Sequence, residues 1–422
     1  MPGSYSSRRL RVVILALVAG LLGVAVWLKL RDDTAQNHFA EGRAALDRDD
    51  PAEALRHFEL GLAIRSKSGE GCFLAARASR RSGDANVAKG FLKRAEANGH
   101  AASEIESERA LIFAQSGYMA EAEPIFAKHI RDNGPDSAEM IALLAPSYMA
   151  QFRVVEAGAL TGKWVELRPA SAPAWTLHAD VLERLRKKPQ ALAALRQLIL
   201  LAPENRAARL NLVRMLVETR QSLDEAVLHA EWLTATGPDD MPAHVQLAAC
   251  REWQGRPDDA AALLDRVIAG PGPSAKSLHL RGRLEMNRNR PTVALGFLKR
   301  GADVDPSDVE LLYSLFQCVQ QTGTPAEARL AEERWRNCDA DLRRVAVLSR
   351  AISAAPKDVE LRREIGELFL RNGREAEGLR WLDSALALEP QHRPSHKVLA
   401  DHYERIGNID LARRHASFAK SD

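Results

Sequence analysis

Two hydrophobic regimes divide the chain. Val12 to Leu28 (VVILALVAGLLGVAVWL) is an unbroken apolar run without charge. As a helix it would span about 26 Å, close to the roughly 30 Å hydrocarbon core of a bilayer. No later stretch is comparable. After Asp33 apolar and charged residues mix at helical spacing, and small residues return about every 34 positions. The first regime predicts a membrane-spanning helix over 12–30, preceded by a short basic segment over 1–11. The second predicts a long array of paired helices.

The apolar run admits two readings, an uncleaved anchor or a secretory signal. Its length favours the anchor, as does its end in Val26-Trp27-Leu28-Lys29, which lacks a small-x-small cleavage site. Trp27 sits where an interfacial aromatic belt would place it. Arg8, Arg9 and Arg11 precede the run, and Lys29 and Arg31 follow it. That excess favours a cytoplasmic N-terminus and an exported body, with a cytoplasm-facing body as the alternative.

In the repeating region one frame fits almost everything. Counting Pro390 as position 32 puts Gly366 at position 8, Gly373 at 15, Leu382 at 24 and Ala385 at 27. Position 20 then holds Ala54, Ala88, Ala122, Ala157, Ala191, Ala260, Ala294, Ala328 and Ala412, with Gly378 once and Ala226 after a one-residue insertion. Position 8 holds Gly42, Ala76, Ala110, Ala145, Ala179, Ala248, Gly282, Gly366 and Ala400. Gly83, Gly117, Gly255, Gly323, Gly373 and Gly407 mark mid-repeat turns, where glycine supplies a left-handed backbone. Units start near Ala35, Gly69, Ser103, Ala138, Ala172, Arg206, Met241, Ala275, Val309, Val359 and Arg393.

This pattern resembles the tetratricopeptide repeat, with its small residues at 8 and 20, large residue at 24, alanine at 27 and proline at 32. The resemblance implies an all-α fold, a right-handed superhelical solenoid of antiparallel helix pairs that bury their apolar faces against neighbouring units. Residues 34–308 are expected to form about eight units and 359–422 two more. Between them, 309–358 is too long for one unit. Glu332 and Trp335 stand where the pattern wants a large apolar residue and alanine, and Asp341–Ala355 reads as an extra helix or a decayed unit. A local break, serving as a hinge or a docking surface, is expected there. The last helix, Asn408–Lys420, carries Arg413, Arg414 and His415 and can serve as its own cap.

Composition adds mainly exclusions. A formal net charge of +3 supplies no field that demands nucleic acid. The four cysteines, Cys72, Cys250, Cys318 and Cys338, form no CxxC pair and read as small buried hydrophobes, with a Cys318–Cys338 disulfide as the alternative. His392, His396 and His402 cluster near the end without an HExxH pattern, and are expected to be solvated or groove-facing rather than metal ligands. No phosphate loop or nucleophile elbow occurs, and repeats fill 34–422, so no catalytic, cofactor or metal residues are assigned and no small-molecule substrate is evident.

The family resemblance places binding on the concave face, mainly at positions 2, 5, 9, 12 and 13 of each first helix. Here that selects a basic stretch of Arg214, Lys276, His279, Arg283 and Asn287, then a mixed one of Glu310, Tyr313, Gln317, Glu360, Arg363 and Glu367. An acidic or C-terminal peptide is the expected ligand. No unit has the Lys/Asn pair of chaperone-binding repeats, since Lys397 is followed by Asp401. One span followed by repeats resembles bacterial envelope scaffolds and assembly factors. A cytoplasm-facing adaptor regulating an enzyme of envelope or polysaccharide synthesis is the second reading. His415–Asp422 holds no CxxC pair, unlike the cysteine-rich tail of the membrane-bound regulators of lipopolysaccharide synthesis, so that assignment is not expected.

Overall fold

The computed structural model describes the backbone of residues 5–420 and the side chains of Val24 and of 26–419 apart from Ser353. Among the described residues every regular element is an α-helix. The first hairpins are α1 (Tyr5–Asp47) with α2 (Pro51–Ile64), α3 (Gly69–Arg81) with α4 (Ala85–Ala97), and α5 (Ala102–Gln115) with α6 (Met119–Arg131), followed in the chain by the helices α7 (Ser137–Ala150) and α8 (Val154–Leu167). Then follow α9 (Ala172–Arg184) and α10 (Lys188–Leu201), α11 (Arg206–Thr219) and α12 (Leu223–Thr236), α13 (Met241–Trp253) and α14 (Pro257–Ala269), and α15 (Ala275–Asn287) and α16 (Pro291–Val304). The last are α17 (Val309–Thr322) and α18 (Pro325–Ala354), α19 (Val359–Arg371) and α20 (Glu375–Leu388), and α21 (Arg393–Arg405) and α22 (Ile409–Lys420). The chain divides into two compact units, Met1–Leu144 and Ala145–Asp422, both built from these hairpins.

No helix among the described residues is long and apolar enough to cross a membrane. The run Val12–Leu28, on which the anchor rests, lies almost wholly outside the residues whose side chains are described, as does the basic segment 1–11. The expected unit starts at Gly69, Ala172, Arg206, Met241, Ala275, Val309, Val359 and Arg393 are the first residues of their helices, whereas Ala35 lies inside the longer α1.

The small residues act by letting a large one in. Ala54, Ala88, Ala122, Ala157, Ala191, Ala226, Ala260 and Ala294 are fully buried. In the α19–α20 hairpin a Cβ on Gly366 would lie 2.7 Å from Leu382 Cγ, so in this unit a bare position 8 lets Leu382 seat at position 24. A Cβ on Gly378 would lie 2.6 Å from Leu370 Cγ and 2.9 Å from the Gly366 carbonyl oxygen. That second neighbour is backbone and cannot swing aside. Gly378→Ala is therefore expected to lower stability by about 1–3 kcal/mol. Gly90→Ala, on α4 where an added Cβ meets nothing within 4 Å, should instead gain about 0.5–1 kcal/mol through helix propensity. Opposite shifts in the thermal midpoints of the two variants would check both.

At the mid-repeat turn the left-handed residue recurs with or without glycine. Gly83, Gly117, Gly255, Gly373 and Gly407 have positive φ, and so do Asp49, Phe152, Arg186, Arg220 and Asn289 at the same position of the other units. Gly323 is the exception, with φ −108°. Its turn is replaced by a capping box, in which the Thr324 side chain accepts from the Glu327 backbone and Glu327 accepts from the Thr324 N–H at 2.7 Å.

The same unit departs from expectation in a second way. There is no break before Asp341–Ala355, because α18 runs unbroken for 30 residues. After Pro325 it contains neither glycine nor proline, so nothing stops it. Its first half packs with α17 through Trp335 and Cys338, and its second half packs with α19 and α20 through Val345, Leu348 and Ile352. Trp335 fills the alanine position by lying against Tyr313 (4.8 Å between centroids) and Phe316 (5.9 Å).

All four cysteines are buried and free. Cys318 Sγ donates to the Pro291 carbonyl and Cys338 Sγ to that of Ser307, so the pair is not bridged. Burial pushes the Cys250 and Cys338 thiols up to about 11, which keeps them protonated and unreactive at neutral pH.

Candidate protein-binding face

The residues singled out by the repeat frame sit on first helices of the unit Ala145–Asp422: Arg214 on α11, Lys276, His279, Arg283 and Asn287 on α15, and Tyr313 on α17. Their first turns are set by side-chain caps: Asn205 accepts from Ala208 N, Ser274 from Ser277 N and Asp308 from Leu311 N. Each helix is thereby started in the same register, and positions 5 and 9 fall on a common side.

The basic character of that side is largely spent within the protein. Arg214 donates to Glu183 at 2.6 Å and to Glu218 at 3.0 Å, and Arg283 donates to Glu252 at 2.6 Å. Arg214–Glu183 and Arg283–Glu252 are one contact repeated two units apart, from position 9 back to position 12 of the preceding first helix. Burial works against the Arg214 charge, but Glu183 and Glu218 outweigh it and hold its pKa above the ordinary value.

His279 is buried rather than groove-facing. Burial, helped by the charges of Lys276 and Arg283 and opposed by Asp308, pushes its pKa down to about 4. It is neutral at physiological pH. The Ser314 hydroxyl donates to the Glu310 carbonyl, so it accepts from His279 Nε2 at 2.9 Å, which leaves the buried Nδ1 without a partner. Of the basic set only Lys276 is both exposed and unpaired, and Asn287 and Tyr313 are exposed with it. In the mixed stretch Arg363 is taken by Glu360 at 2.8 Å and by Glu367.

The three C-terminal histidines do not converge. His392 caps α21, with its ring against the Ser395 hydroxyl at 2.8 Å, while His402 meets Glu375 at 3.2 Å. His396 pairs with His415 at 2.9 Å between Nδ1 atoms. His396 and His402 are buried rather than solvated or groove-facing.

Two polar features have no signal in the repeat frame. In the unit Met1–Leu144, Arg80 and Glu108 are buried and bonded to each other, with Arg80 also reaching Glu139 at 2.6 Å and Arg77 joining Glu108 to Asp136. In the unit Ala145–Asp422, Phe152 stacks on Trp381 with centroids 3.5 Å apart, and the buried Arg362 donates to the Gln151 carbonyl at 3.1 Å. Partners as far apart in sequence as Phe152 and Trp381, or Gln151 and Arg362, leave no local spacing to read.

Residues 176–229 and 345–393 match the family profile described as Tetratricopeptide repeat. No curated protein matches the chain. Among solved structures, the chain is similar to a protein in the Cut9–Hcn1 hetero-tetramer of the APC/C (12% identity, 91% of this chain and 93% of that one, TM-score 0.36). It is also similar to a tetratricopeptide repeat protein from Parabacteroides merdae (14% identity, 68% and 99%, TM-score 0.34). A third likeness is to human IFIT1, solved as a dimer with m7Gppp-AAAA (16% identity, 83% and 89%, TM-score 0.39). Over its two matched stretches the chain is thus similar to tetratricopeptide repeats.

Proposed function

We propose that the chain is a membrane-anchored scaffold or assembly factor for a cell-envelope complex, which holds partner proteins on the first-helix face of α11 to α17. The role is binding rather than catalysis. The carrying observation is the exposed Tyr313, backed by Trp335 and Phe316, on the helix next to the unpaired Lys276. With Arg214 and Arg283 already bonded to glutamates, the recognised segment needs one carboxylate for Lys276 and one apolar or aromatic side chain for Tyr313, not a strongly acidic run. Val12–Leu28 supplies the anchor, and the arginine excess before it favours an exported body.

The test is mild crosslinking in detergent, followed by mass spectrometry, on the full chain and on the variant Lys276→Glu with Tyr313→Ala. The expected result is a defined set of envelope proteins whose recovery falls at least about tenfold in the variant, as for loss of hot-spot residues. Unchanged recovery would move the contact to another face. Recovery of cytoplasmic enzymes would favour the cytoplasm-facing adaptor.

A further inference from the structure

His38 and Glu41 lie one turn apart on α1, and His57 faces them from α2. His38 Nδ1 is 3.4 Å from His57 Nδ1 and 3.4 Å from Glu41 Oε2, and His57 Nδ1 is 2.9 Å from Glu41 Oε2. Among the described residues this is the one group of three or more potential ligands gathered so closely. A zinc-class ion with bonds of about 2.0–2.1 Å in tetrahedral geometry sets its ligand atoms about 3.4 Å apart. Two of the three separations match that spacing, and the third, between His57 Nδ1 and Glu41 Oε2 at 2.9 Å, reaches it by a small opening of the exposed Glu41 side chain. We propose that His38, Glu41 and His57 form a binding site for a divalent transition ion of the zinc class, with a solvent-facing fourth position.

The surroundings fit a partly open site. The His57 side chain is 13% exposed, that of His38 26% and that of Glu41 57%. Both histidines would bind through Nδ1, so His57 Nε2 must carry the proton. The Arg56 guanidinium now lies 3.0 Å from that nitrogen, and Glu53 Oε1 lies 3.9 Å away. Arg56 is an exposed side chain that can leave, and Glu53 is then the acceptor that orients the ring. The same register recurs at the other end of the chain, where His396 and His415 bring their Nδ1 atoms to 2.9 Å. There the third ligand is missing and Phe418 and Tyr403 flank the rings. A histidine pair is therefore tolerated by the fold without a metal, and Glu41 is what distinguishes the first pair. The site is assembled from two helices, so no single helix carries all three ligands. His-x-x-Glu followed by histidine nineteen residues after the first is the signal that could have found it.

The experiment is titration of the untagged, chelator-treated full chain in detergent with Co(II) alone, read as visible d–d absorption, with Zn(II) as competitor. One equivalent should give the intense bands of tetrahedral cobalt, erased by one equivalent of Zn(II). His57→Ala and Glu41→Gln should each weaken binding at least about 100-fold, and Arg56→Ala should tighten it by up to about tenfold. His396→Ala should change nothing. Helical circular dichroism on each variant separates loss of the site from loss of the fold, and Glu41→Gln, at an exposed position, keeps the test valid if His57→Ala misfolds. Absence of cobalt binding, weak octahedral bands only, or bands that survive Glu41→Gln would overturn the proposal.

Discussion

Glu108→Ala is expected to destabilise the unit Met1–Leu144 by about 3–5 kcal/mol, because it breaks a buried ion pair from one side. Glu108 is fully buried on α5, and Arg80 on α3 is 2% exposed. The carboxylate accepts from Arg80 Nε at 2.5 Å and from Arg77 Nε at 3.3 Å. Arg80 already has one nitrogen, Nη2, without a partner. Without Glu108 its Nε would join it, deep among packed helices, with only Glu139 to balance the charge. The penalty is that of an uncompensated charge, so removing both sides should be far milder. The double variant Arg80→Met with Glu108→Leu is expected to recover most of the loss. Hydrogen exchange at α3 and α5 would measure both, since a long repeat array need not unfold in one step. A single variant as stable as the parent would show that water reaches the pair.

The network also sets an acid limit. Burial would raise the Glu139 carboxyl, but Arg80 and Arg81 outweigh it and hold its pKa below the ordinary 4.5. A carboxyl depressed in the folded state binds fewer protons there than in the unfolded chain. Its contribution is therefore complete above pH 4.5 and is lost as pH falls toward its depressed value.

The second large effect is expected from Trp381→Ala, at about 3–5 kcal/mol. Trp381 is 7% exposed and packs with Val345, Leu348, Ile352, Ile365 and Leu368. Its other side takes the Phe152 ring, and Arg362 lies 5.9 Å from its centroid. Burial lowers the Arg362 pKa, and no carboxylate is bonded to it. The guanidinium is held instead by Ser384 and by the carbonyls of Gln151 and Pro356, beside two aromatic rings. Loss of the indole should therefore speed amide exchange in α19 and α20 and also at the turn Gln151–Arg153. In a purely nearest-neighbour array the distant turn would not respond. Unchanged exchange at that turn would show that the stacking carries no energy.

Much of the hairpin plan was legible because it rests on backbone approach, and only alanine or glycine permits that. Ala54 and Gly366 announce themselves in any register of about 34 residues. Turn geometry was half legible: glycines marked some turns, while Phe152 and Arg186 adopt the same left-handed backbone without a compositional sign. The unbroken α18 was readable from the absence of any breaker, but the missing alanine at Trp335 suggested a break instead. At the candidate face, spacing placed Arg214 and Arg283 correctly on first helices but could not show that Glu183 and Glu252 had already taken them. Charge partners from adjacent repeats meet only after the repeats stack.

The length of α18 makes it a keeper of angular phase. At 100° per residue, one residue added near Asp339 would turn Val345, Leu348 and Ile352 by that angle relative to Trp335 and Cys338. Two cores that now share one rod would be out of step, and no flexible joint lies between them to absorb the error. Seven added residues, nearly two full turns, would restore the angle to within about 20° while moving the cores apart along the axis. Elsewhere, a turn can absorb such a change, as at Gln221-Ser222, where the frame itself gains a residue. Through α18, the angle between neighbouring cores is written in the count of residues.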